Sequence, residues 1–304
     1  MSDPVARPDA PDVDQRFLGV ACGLGAAAIW GGSSVVSRHL VVSQFDPVEL
    51  TFLRYVACFP VALAIYVFWF PRLRSSLSWG KLVVLLLLAG PPFHFIVIVG
   101  YKFASAGLGA LLIAGLLAVF TVAGGIVLQR GMPAARAALC TALVLSGLAL
   151  LVFENFQLQS AVNLVSAAGI GIFTLAAALW ALLNHLLTRW QVDPLALTVE
   201  LSLWSPLFLP VYFAVPTTHP TNVRIADVAL QLVYHGWFVA LGATFLYFMS
   251  VRKLGAVSAA IMLALAPALS VIFGSIALGE PLSLTIVAGV CLVLTGFVAS
   301  MQSR

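Results

Sequence analysis

Charged residues are scarce in this sequence. Asp, Glu, Lys and Arg make up 9% of its 304 residues, whereas an ordinary soluble domain carries about 25%. Short segments that alternate apolar and polar residues are also lacking, which excludes a transmembrane β-barrel. Hydrophobic residues make up 62% and fall in runs of about 20, each long enough to cross a hydrocarbon layer of roughly 30 Å. The sequence therefore predicts an all-α polytopic membrane protein.

Metal-binding and redox motifs are absent from the sequence as well. The four cysteines, Cys22, Cys58, Cys140 and Cys291, lie inside apolar runs without CxxC or CxxH spacing, and buried cysteine usually acts as a small hydrophobe. We expect no disulfide, no metal and no cofactor. The net charge of +4 comes from basic residues in short loops, so it predicts membrane topology and no nucleic-acid partner.

Ten membrane spans are predicted from the apolar runs and the charged, proline or glycine breaks between them. A Pro-, Asp- and Arg-rich tail (1–16) precedes them and is expected to be disordered, and a short C-terminus (302–304) follows. The spans are 17–37, 48–70, 80–101, 105–129, 134–153, 163–187, 194–214, 228–250, 255–278 and 282–301.

Basic residues orient these spans. With the amino terminus in the cytoplasm, the inner segments hold eleven Lys or Arg residues, and the outer loops hold only Arg38, Lys102 and Arg224. Because cytoplasmic loops are enriched in Lys and Arg, both termini are predicted to be cytoplasmic. The protein itself is expected in the inner membrane of the cell.

The second half of the sequence repeats the first. Trp30 and Trp180 lie 150 residues apart in similar surroundings, and "FDPVELTFL" (45–53) is similar to "VDPLALTVE" (192–200) at a shift of 147. "YKFASAG" (101–107) matches "VRKLGAV" (251–257) at 150, and "LVLSGLA" (143–149) matches "LVLTGFV" (292–298) at 149. Four nearly constant shifts in chain order indicate a duplication.

Two five-helix repeats follow from this duplication, at 17–153 and 163–301, with an outer linker at 154–162. Because five is odd, the second repeat enters the membrane from the opposite side. Inverted repeats of this kind are typical of secondary transporters, whose substrate site lies near the midplane between the halves. We therefore predict a central cavity enclosed by a 5+5 helical bundle.

The chain also resembles a known family. The "DPVELTFLRY" segment with Arg54, the late "ALAPALSVIFGSIALGEPLSLTIVAGVCLVLTG" and the five-plus-five repeat are similar to the drug/metabolite transporter superfamily, EamA-type branch. The length and the Trp-Gly-Gly-Ser-Ser stretch resemble the YddG-type exporters of aromatic and other amino acids. The first half departs from the family pattern, since Leu117 and Arg130 stand near the positions of the second half's Pro267 and Glu280.

Polar and aromatic residues of spans 1 and 6 are the first candidates for a substrate cavity. Small residues at 31–34 permit either close helix packing or an opening, with Ser33 and Ser34 offered to a solute beside Trp30. Span 6 presents Trp180, Asn184 and His185 at the matching level. Polar groups that faced lipid would cost free energy, so these groups favour a cavity.

Span 3 is expected to bend or open at Pro91 and Pro92, because proline cannot donate to the preceding turn. His94 follows directly, either bonded to a nearby carbonyl or facing a solute. The matching segment of span 8 supplies Thr244 and Tyr247, although Tyr247 also suits an interfacial belt. In span 9, Met262 is either an adaptable contact or core packing, and Pro267 is predicted to break the helix.

Two ionisable residues within spans are candidates for gating or proton coupling. Arg54 and Glu200 each lie about 9 Å from a helix end, from where a side chain can extend to the headgroups. Arg54 is read as a structural or gating charge and Glu200 as the coupling candidate, while Glu49 is expected to cap span 2. No acidic residue lies at a span centre, so coupled and facilitated transport stay open.

These observations predict a secondary transporter of small amphipathic solutes, acting as a monomer in the lipid bilayer. The resemblance implies amino-acid export. An alternative within the superfamily is transport of sugars, nucleotide-sugars or phosphorylated metabolites, for which only Lys102, Arg252 and Lys253 would supply cations. An intramembrane enzyme is a third possibility, since Ser33 or Ser34 with His94 or His185 would be its nucleophile and base, but no HExxH and no aspartate pair accompany them.

Overall fold

The computed structural model describes residues 13–42, 45–73, 77–103, 106–129, 135–158, 164–214, 224–278 and 283–301, and every secondary-structure element in these ranges is helical. Most of the predicted tail (1–16), part of the linker (154–162) and the C-terminus (302–304) lie outside them. The first helix begins at Val13, four residues before the predicted start of span 1, and another helix continues to Leu158, inside the predicted linker.

The described helices have these bounds in chain order: α1 Val13–Val42, α2 Pro47–Leu73, α3 Trp79–Ala89, α4 Pro91–Phe103, α5 Ala106–Gln129, α6 Ala135–Leu158, α7 Leu164–Trp190, α8 Pro194–Leu203, a 3₁₀ turn Ser205–Phe208, α9 Leu209–Ala214, α10 Ile225–Leu230, a π-helix Gln231–Ala243, α11 Thr244–Leu254, α12 Ala256–Leu263, α13 Leu265–Leu278 and α14 Leu284–Met301.

Six helical stretches of the described chain are long and apolar enough to cross a membrane. They are Val48–Phe68, Trp79–Gly100, Ala167–Trp190, Pro194–Ala214, Ile225–Leu254 and Ala256–Phe273. Three shorter apolar stretches, Leu111–Ile126, Ala138–Leu150 and Leu284–Gly296, lie in predicted spans 4, 5 and 10. The chain is thus a multi-pass integral membrane protein of helices.

Matching caps begin α2 and α8. Asp46 and Asp193 each precede a proline at the first helical position, where the missing N–H costs nothing. The Asp46 carboxylate accepts from the N–H of Val48 (2.9 Å), and the Asp193 carboxylate accepts from the N–H of Ala196 (2.9 Å). The Glu49 carboxylate in turn accepts from the Asp46 N–H (3.4 Å), which completes a capping box at the start of α2.

Predicted spans 3 and 9 are both interrupted near a proline. Span 3 divides at Gly90, and α4 starts directly at Pro91. Span 9 divides at Ala264, three residues before Pro267, which lies inside α13. This displacement has a simple cause, because proline lacks the N–H that would bond the carbonyl four residues earlier, and the turn that opens is the one before the ring.

Predicted span 8 contains a π-helix of 13 residues, Gln231–Ala243. Most π-helical segments are single turns, and they are frequent at functional sites. This one packs along α2, where the Gln231 amide donates to the carbonyl of Leu50 (2.9 Å) and the Trp237 indole donates to the carbonyl of Ala57 (2.9 Å). In the sequence repeat this segment corresponds to the surroundings of the Gly90 break, so corresponding segments of both halves depart from α-helical geometry.

Helices α6 and α14 pack antiparallel through a seam of glycines. A Cβ atom on Gly147 would lie 2.5 Å from the carbonyl oxygen of Gly289, and one on Gly296 would lie 2.8 Å from the carbonyl oxygen of Cys140. The sequence repeat relates Gly147 to Gly296 and Cys140 to Gly289, so it converts one contact into the other. Small residues are required here because the backbones themselves are in contact.

A second pair of contacts exchanges in the same way. Gly23 of α1 faces Ser250 of α11, and Gly100 of α4 faces Phe173 of α7. The repeat relates Gly23 to Phe173 and Gly100 to Ser250. The contact of Gly23 with Ser250 in one half therefore corresponds to the contact of Phe173 with Gly100 in the other. The packing of the two halves therefore follows the repeat found in the sequence.

Candidate functional site

Three aromatic rings from three helices meet in the middle of the bundle. Trp30 of α1 and Trp180 of α7 make an edge contact with ring centroids 5.9 Å apart. Tyr247 of α11 lies 5.3 Å from Trp30 and 5.9 Å from Trp180. The contact joins the two tryptophans that correspond in the repeat. We call these residues, together with Phe93 and Asn184, the aromatic cluster.

The aromatic cluster includes a buried polar pair. Asn184 lies one helical turn beyond Trp180, and its side-chain oxygen accepts a hydrogen bond from the Tyr247 hydroxyl at 3.0 Å. The Asn184 side chain is fully buried, and its Nδ2 atom has no hydrogen-bond partner among the described residues. Phe93 of α4 extends the cluster, with its ring 4.8 Å from Trp180.

Replacement of Tyr247 by phenylalanine tests this buried pair. We expect Tyr247→Phe to lower the free energy of unfolding by about 1–3 kcal/mol, because it leaves the Asn184 oxygen buried without a donor. The measurement is thermal unfolding of the purified protein in detergent. Tyr212→Phe is the matched control, since Tyr212 stacks on Phe52 (4.2 Å) at a half-buried position. Equal unfolding temperatures for the two variants would contradict the assignment.

A second group of polar side chains lies around the third turn of α2. We call Arg54, Tyr55, His94 and His235 the α2 polar cluster. The Tyr55 hydroxyl is 2.8 Å from His94 Nδ1, which is also 3.2 Å from the carbonyl oxygen of Gly90 at the helix break. Arg54 interacts electrostatically with both imidazoles. The sequence predicted Arg54 and His94 separately, and the structure brings them together.

The Arg54 side chain is almost completely buried within the protein. Only 6% of Arg54 is exposed, and its Nε and Nη2 atoms are buried. Glu200 is 8% exposed. Helices α4, α8 and the π-helix all pack against α2 and cover its polar side. The distance of Arg54 from the end of its own helix, which the sequence analysis used, could not indicate that other helices bury it.

Several other predicted residues make local contacts outside the aromatic cluster. The Ser33 hydroxyl donates to the carbonyl of Trp30 (2.7 Å) and the Thr244 hydroxyl to that of Val239 (3.2 Å). His185 Nε2 lies 3.0 Å from the carbonyl oxygen of Thr121, and Met262 accepts a weak hydrogen bond from Ser250 (3.7 Å). The side chain of Ser34 lies outside the described residues.

Metal ligation has no obvious place in the described part of the chain. Its His, Cys, Asp and Glu side chains form no group of three that would hold an ion, and the four cysteines are free thiols. The described side chains at the centre offer aromatic contact and neutral hydrogen bonding, and the guanidinium of Arg54 is linked to them through Tyr55, His94 and Phe93.

Sequence reasoning missed three residues of this region, namely Phe93, Tyr55 and His235. Phe93 and Tyr55 are the sequence neighbours of two predicted site residues, His94 and Arg54. The sequence did not indicate that the side chains of Phe93 and Tyr55 also point toward the site. His235 lies in the π-helix, where the usual helical spacing gives no guide to which face a residue occupies.

Comparison with known proteins places these features in a family. The EamA-like transporter family matches the chain twice, at residues 17–153 and 167–302. One crystal structure has a TM-score of 0.70 over 93% of this chain and 96% of that chain, at 17% sequence identity, and this likeness shows the fold. No curated protein sequence matches. The two family matches span nearly the whole chain and confirm the resemblance to the EamA-type branch: the protein belongs to the EamA-like transporter family.

Proposed function

We propose that this protein exports small amphipathic solutes, amino acids with aromatic and other apolar side chains above all, across the inner membrane by alternating access. The observation that carries the proposal is the aromatic cluster, in which corresponding tryptophans of the two halves meet beside a buried amide. Aromatic walls and neutral hydrogen-bonding groups suit the side chain of such a solute.

The proposal includes ten spans arranged as two inverted five-helix repeats, at 17–153 and 163–301, with both termini in the cytoplasm. The antiparallel pairing of α6 with α14 supports it, because the fifth helices of two inverted repeats must run in opposite directions. The exchange of the α1–α11 contact with the α4–α7 contact supports it further. Irregular segments at Gly90 and Gln231–Ala243 occupy corresponding positions, as expected around a transporter site.

An ion pair at one end of the bundle supports alternating access. Arg252 at the end of α11 bonds Asp193 at the start of α8 with a distance of 2.6 Å, and Lys253 beside it bonds Gln15 of α1. In our topology this end faces the cytoplasm. The corresponding residues of the first half are Asp46 and Lys102. The Lys102 side chain lies outside the described residues.

Two alternative functions receive less support. Phosphate recognition was assigned to Lys102, Arg252 and Lys253, but Arg252 and Lys253 are engaged at the surface with Asp193 and Gln15. An enzyme would need a serine activated by histidine. The hydrogen bonds given for Ser33, His94 and His185 go to Trp30, to Tyr55 and Gly90, and to Thr121, so these three residues do not form such a pair in the described structure.

Reconstituted vesicles test the transport proposal. We expect purified protein to move labelled phenylalanine with saturable kinetics and without chemical change, and unlabelled aromatic amino acids to compete with it. An imposed pH difference separates proton-coupled from facilitated transport. Vesicles made with heat-inactivated protein serve as the control. Competition by phosphate esters but not by amino acids would contradict the proposed substrate class, and a modified product would support the enzyme.

A further inference from the structure

Arg54 carries a buried positive charge that no described carboxylate neutralises. Its Nε and Nη2 atoms have no hydrogen-bond partner within the described chain. The ionisable side chains that act on it are those of Tyr55 and Cys58, and it acts in turn on His94 and His235. None of these groups is a carboxylate, so the charge lacks a counter-ion among the described residues.

A buried charge without a counter-ion costs free energy unless an opposite charge binds beside it. An isolated ion in a low-dielectric interior loses several kcal/mol of solvation, even after local relaxation. Ionisable groups inside membrane proteins usually pair with another charge or face the pathway of a solute. A buried guanidinium whose N–H donors have no described partner is therefore suited to bind an anion.

The surrounding backbone fixes Arg54 in place. The π-helix holds α2 at the carbonyl of Leu50, one turn before Arg54, and at the carbonyl of Ala57, almost one turn after it. Between them, Gly236 approaches the carbonyl oxygen of Arg54 so closely that a Cβ atom would lie 3.2 Å from it. These contacts hold the backbone that carries Arg54, and its buried side chain has little freedom to lose when an anion binds.

From this geometry we infer that Arg54 binds the carboxylate of the transported solute, with Tyr55 and His94 beside it. The inference rests on the proposed function for the identity of the solute. Successive ring contacts connect Tyr55 through His94 and Phe93 to Trp180, with centroid distances of 5.8, 5.5 and 4.8 Å. A carboxylate bound at Arg54 therefore lies at one end of a row of contacting rings that leads to the aromatic cluster.

The site suits a monocarboxylate better than a phosphate. A guanidinium presents parallel N–H donors that match the two oxygens of a carboxylate. A phosphate ester carries up to two charges and usually requires more than one cation. Neither Lys nor a second Arg is among the groups that interact with Arg54 in the described structure. One positive charge balances one carboxylate.

Ligand binding to the unaltered protein tests this inference without transport. The probes are 3-phenylpropionate, its neutral amide and phenyl phosphate, and the readout is the shift of the unfolding temperature of the full chain in detergent. A ligand that binds only the folded state raises that temperature, and at equal concentration a tighter ligand raises it more. We expect the carboxylate to bind at least about tenfold more tightly than the amide, as befits a hydrogen bond to a charged group. Equal affinities, or tighter binding of phenyl phosphate, would overturn the inference.

Arg54→Met then identifies the residue responsible. We expect the variant to bind 3-phenylpropionate about tenfold or more weakly than the parent does, with an affinity equal to that for the neutral amide. Binding of the amide itself should be retained. Its unfolding temperature without ligand should be unchanged or higher, because an uncompensated buried charge is gone. Arg224→Gln, which removes an exposed cation, should keep the full preference. A lower unfolding temperature together with loss of amide binding would instead make Arg54 a structural residue and overturn the inference.

The two proposals fail separately. If vesicles move no amino acid while the carboxylate preference depends on Arg54, the anion site stands and the transport proposal falls. If vesicles move phenylalanine and Arg54→Met moves it equally well with an unchanged KM, the site assignment falls and the transport proposal stands.

Discussion

Alanine at Trp180 is expected to lower the free energy of unfolding by about 3–5 kcal/mol, the range for truncating a large buried aromatic side chain. Trp180 is 5% exposed and contacts Trp30, Phe93 and Tyr247. Its loss opens a cavity that is walled by these rings. Thermal unfolding in detergent measures the effect, and stability within 1 kcal/mol of the parent (roughly a fivefold change in the folded-to-unfolded ratio) would contradict the packing described above.

Trp30→Ala is the companion experiment, because Trp30 is only partly buried. We expect a smaller loss of stability than for Trp180→Ala. In vesicles, the variant should lose transport of aromatic amino acids more than transport of small ones, since the aromatic cluster is proposed to contact the solute's side chain. An equal loss for all solutes would assign Trp30 to packing alone.

Alanine at Gly147 is expected to cost about 3 kcal/mol, the upper end for overpacking. The added Cβ atom would lie 2.5 Å from the carbonyl oxygen of Gly289 and 2.8 Å from the nitrogen of Val293. Both are backbone atoms of a helix, which cannot rotate away as a side chain can, so α6 and α14 must separate. The measurement is again the unfolding temperature.

Two further glycines make this experiment specific. Gly296→Ala should cost a similar amount, because its Cβ atom meets the backbone of Cys140 and Val144 in the corresponding contact. Gly171→Ala is the control, since a Cβ atom there meets nothing within 4 Å. It should be neutral or stabilising by up to about 1 kcal/mol through helix propensity. A large loss from Gly171→Ala and none from Gly147→Ala would contradict the glycine seam.

Much of the architecture could be predicted from the sequence, because a chain that crosses a lipid bilayer must satisfy its backbone hydrogen bonds internally and few folds do so. Apolar runs of helical length, the Asp-Pro starts of α2 and α8, and the recurrence of Trp30 as Trp180 in similar surroundings can all be read along the chain. The duplication indicated that these two tryptophans correspond, and the structure brings them into contact. Helix breaks were also visible, although the one assigned to Pro267 lies three residues earlier, at Ala264.

The α2 polar cluster was harder to foresee, since it depends on which helices cover which faces. The distance of Arg54 along α2 allowed its side chain to reach the headgroups, whereas in the structure it is buried on a helix against which α4, α8 and the π-helix pack. His235 joins the cluster through a helical geometry that carries no proline or other marker in the sequence. Whether a charged side chain is buried depends on how several helices pack around it, and the sequence of one helix does not show this.

The π-helix has a consequence for comparing this protein with its relatives. In an α-helix, residues four apart share a face, but Gln231 and Gly236, which both meet α2, are five apart. A relative with ordinary turns in this segment would present a different set of side chains to α2 after the first turn. Alignments that keep α-helical phase through Gln231–Ala243 will therefore pair surface positions with buried ones, and about one gap position for each π turn restores the correspondence.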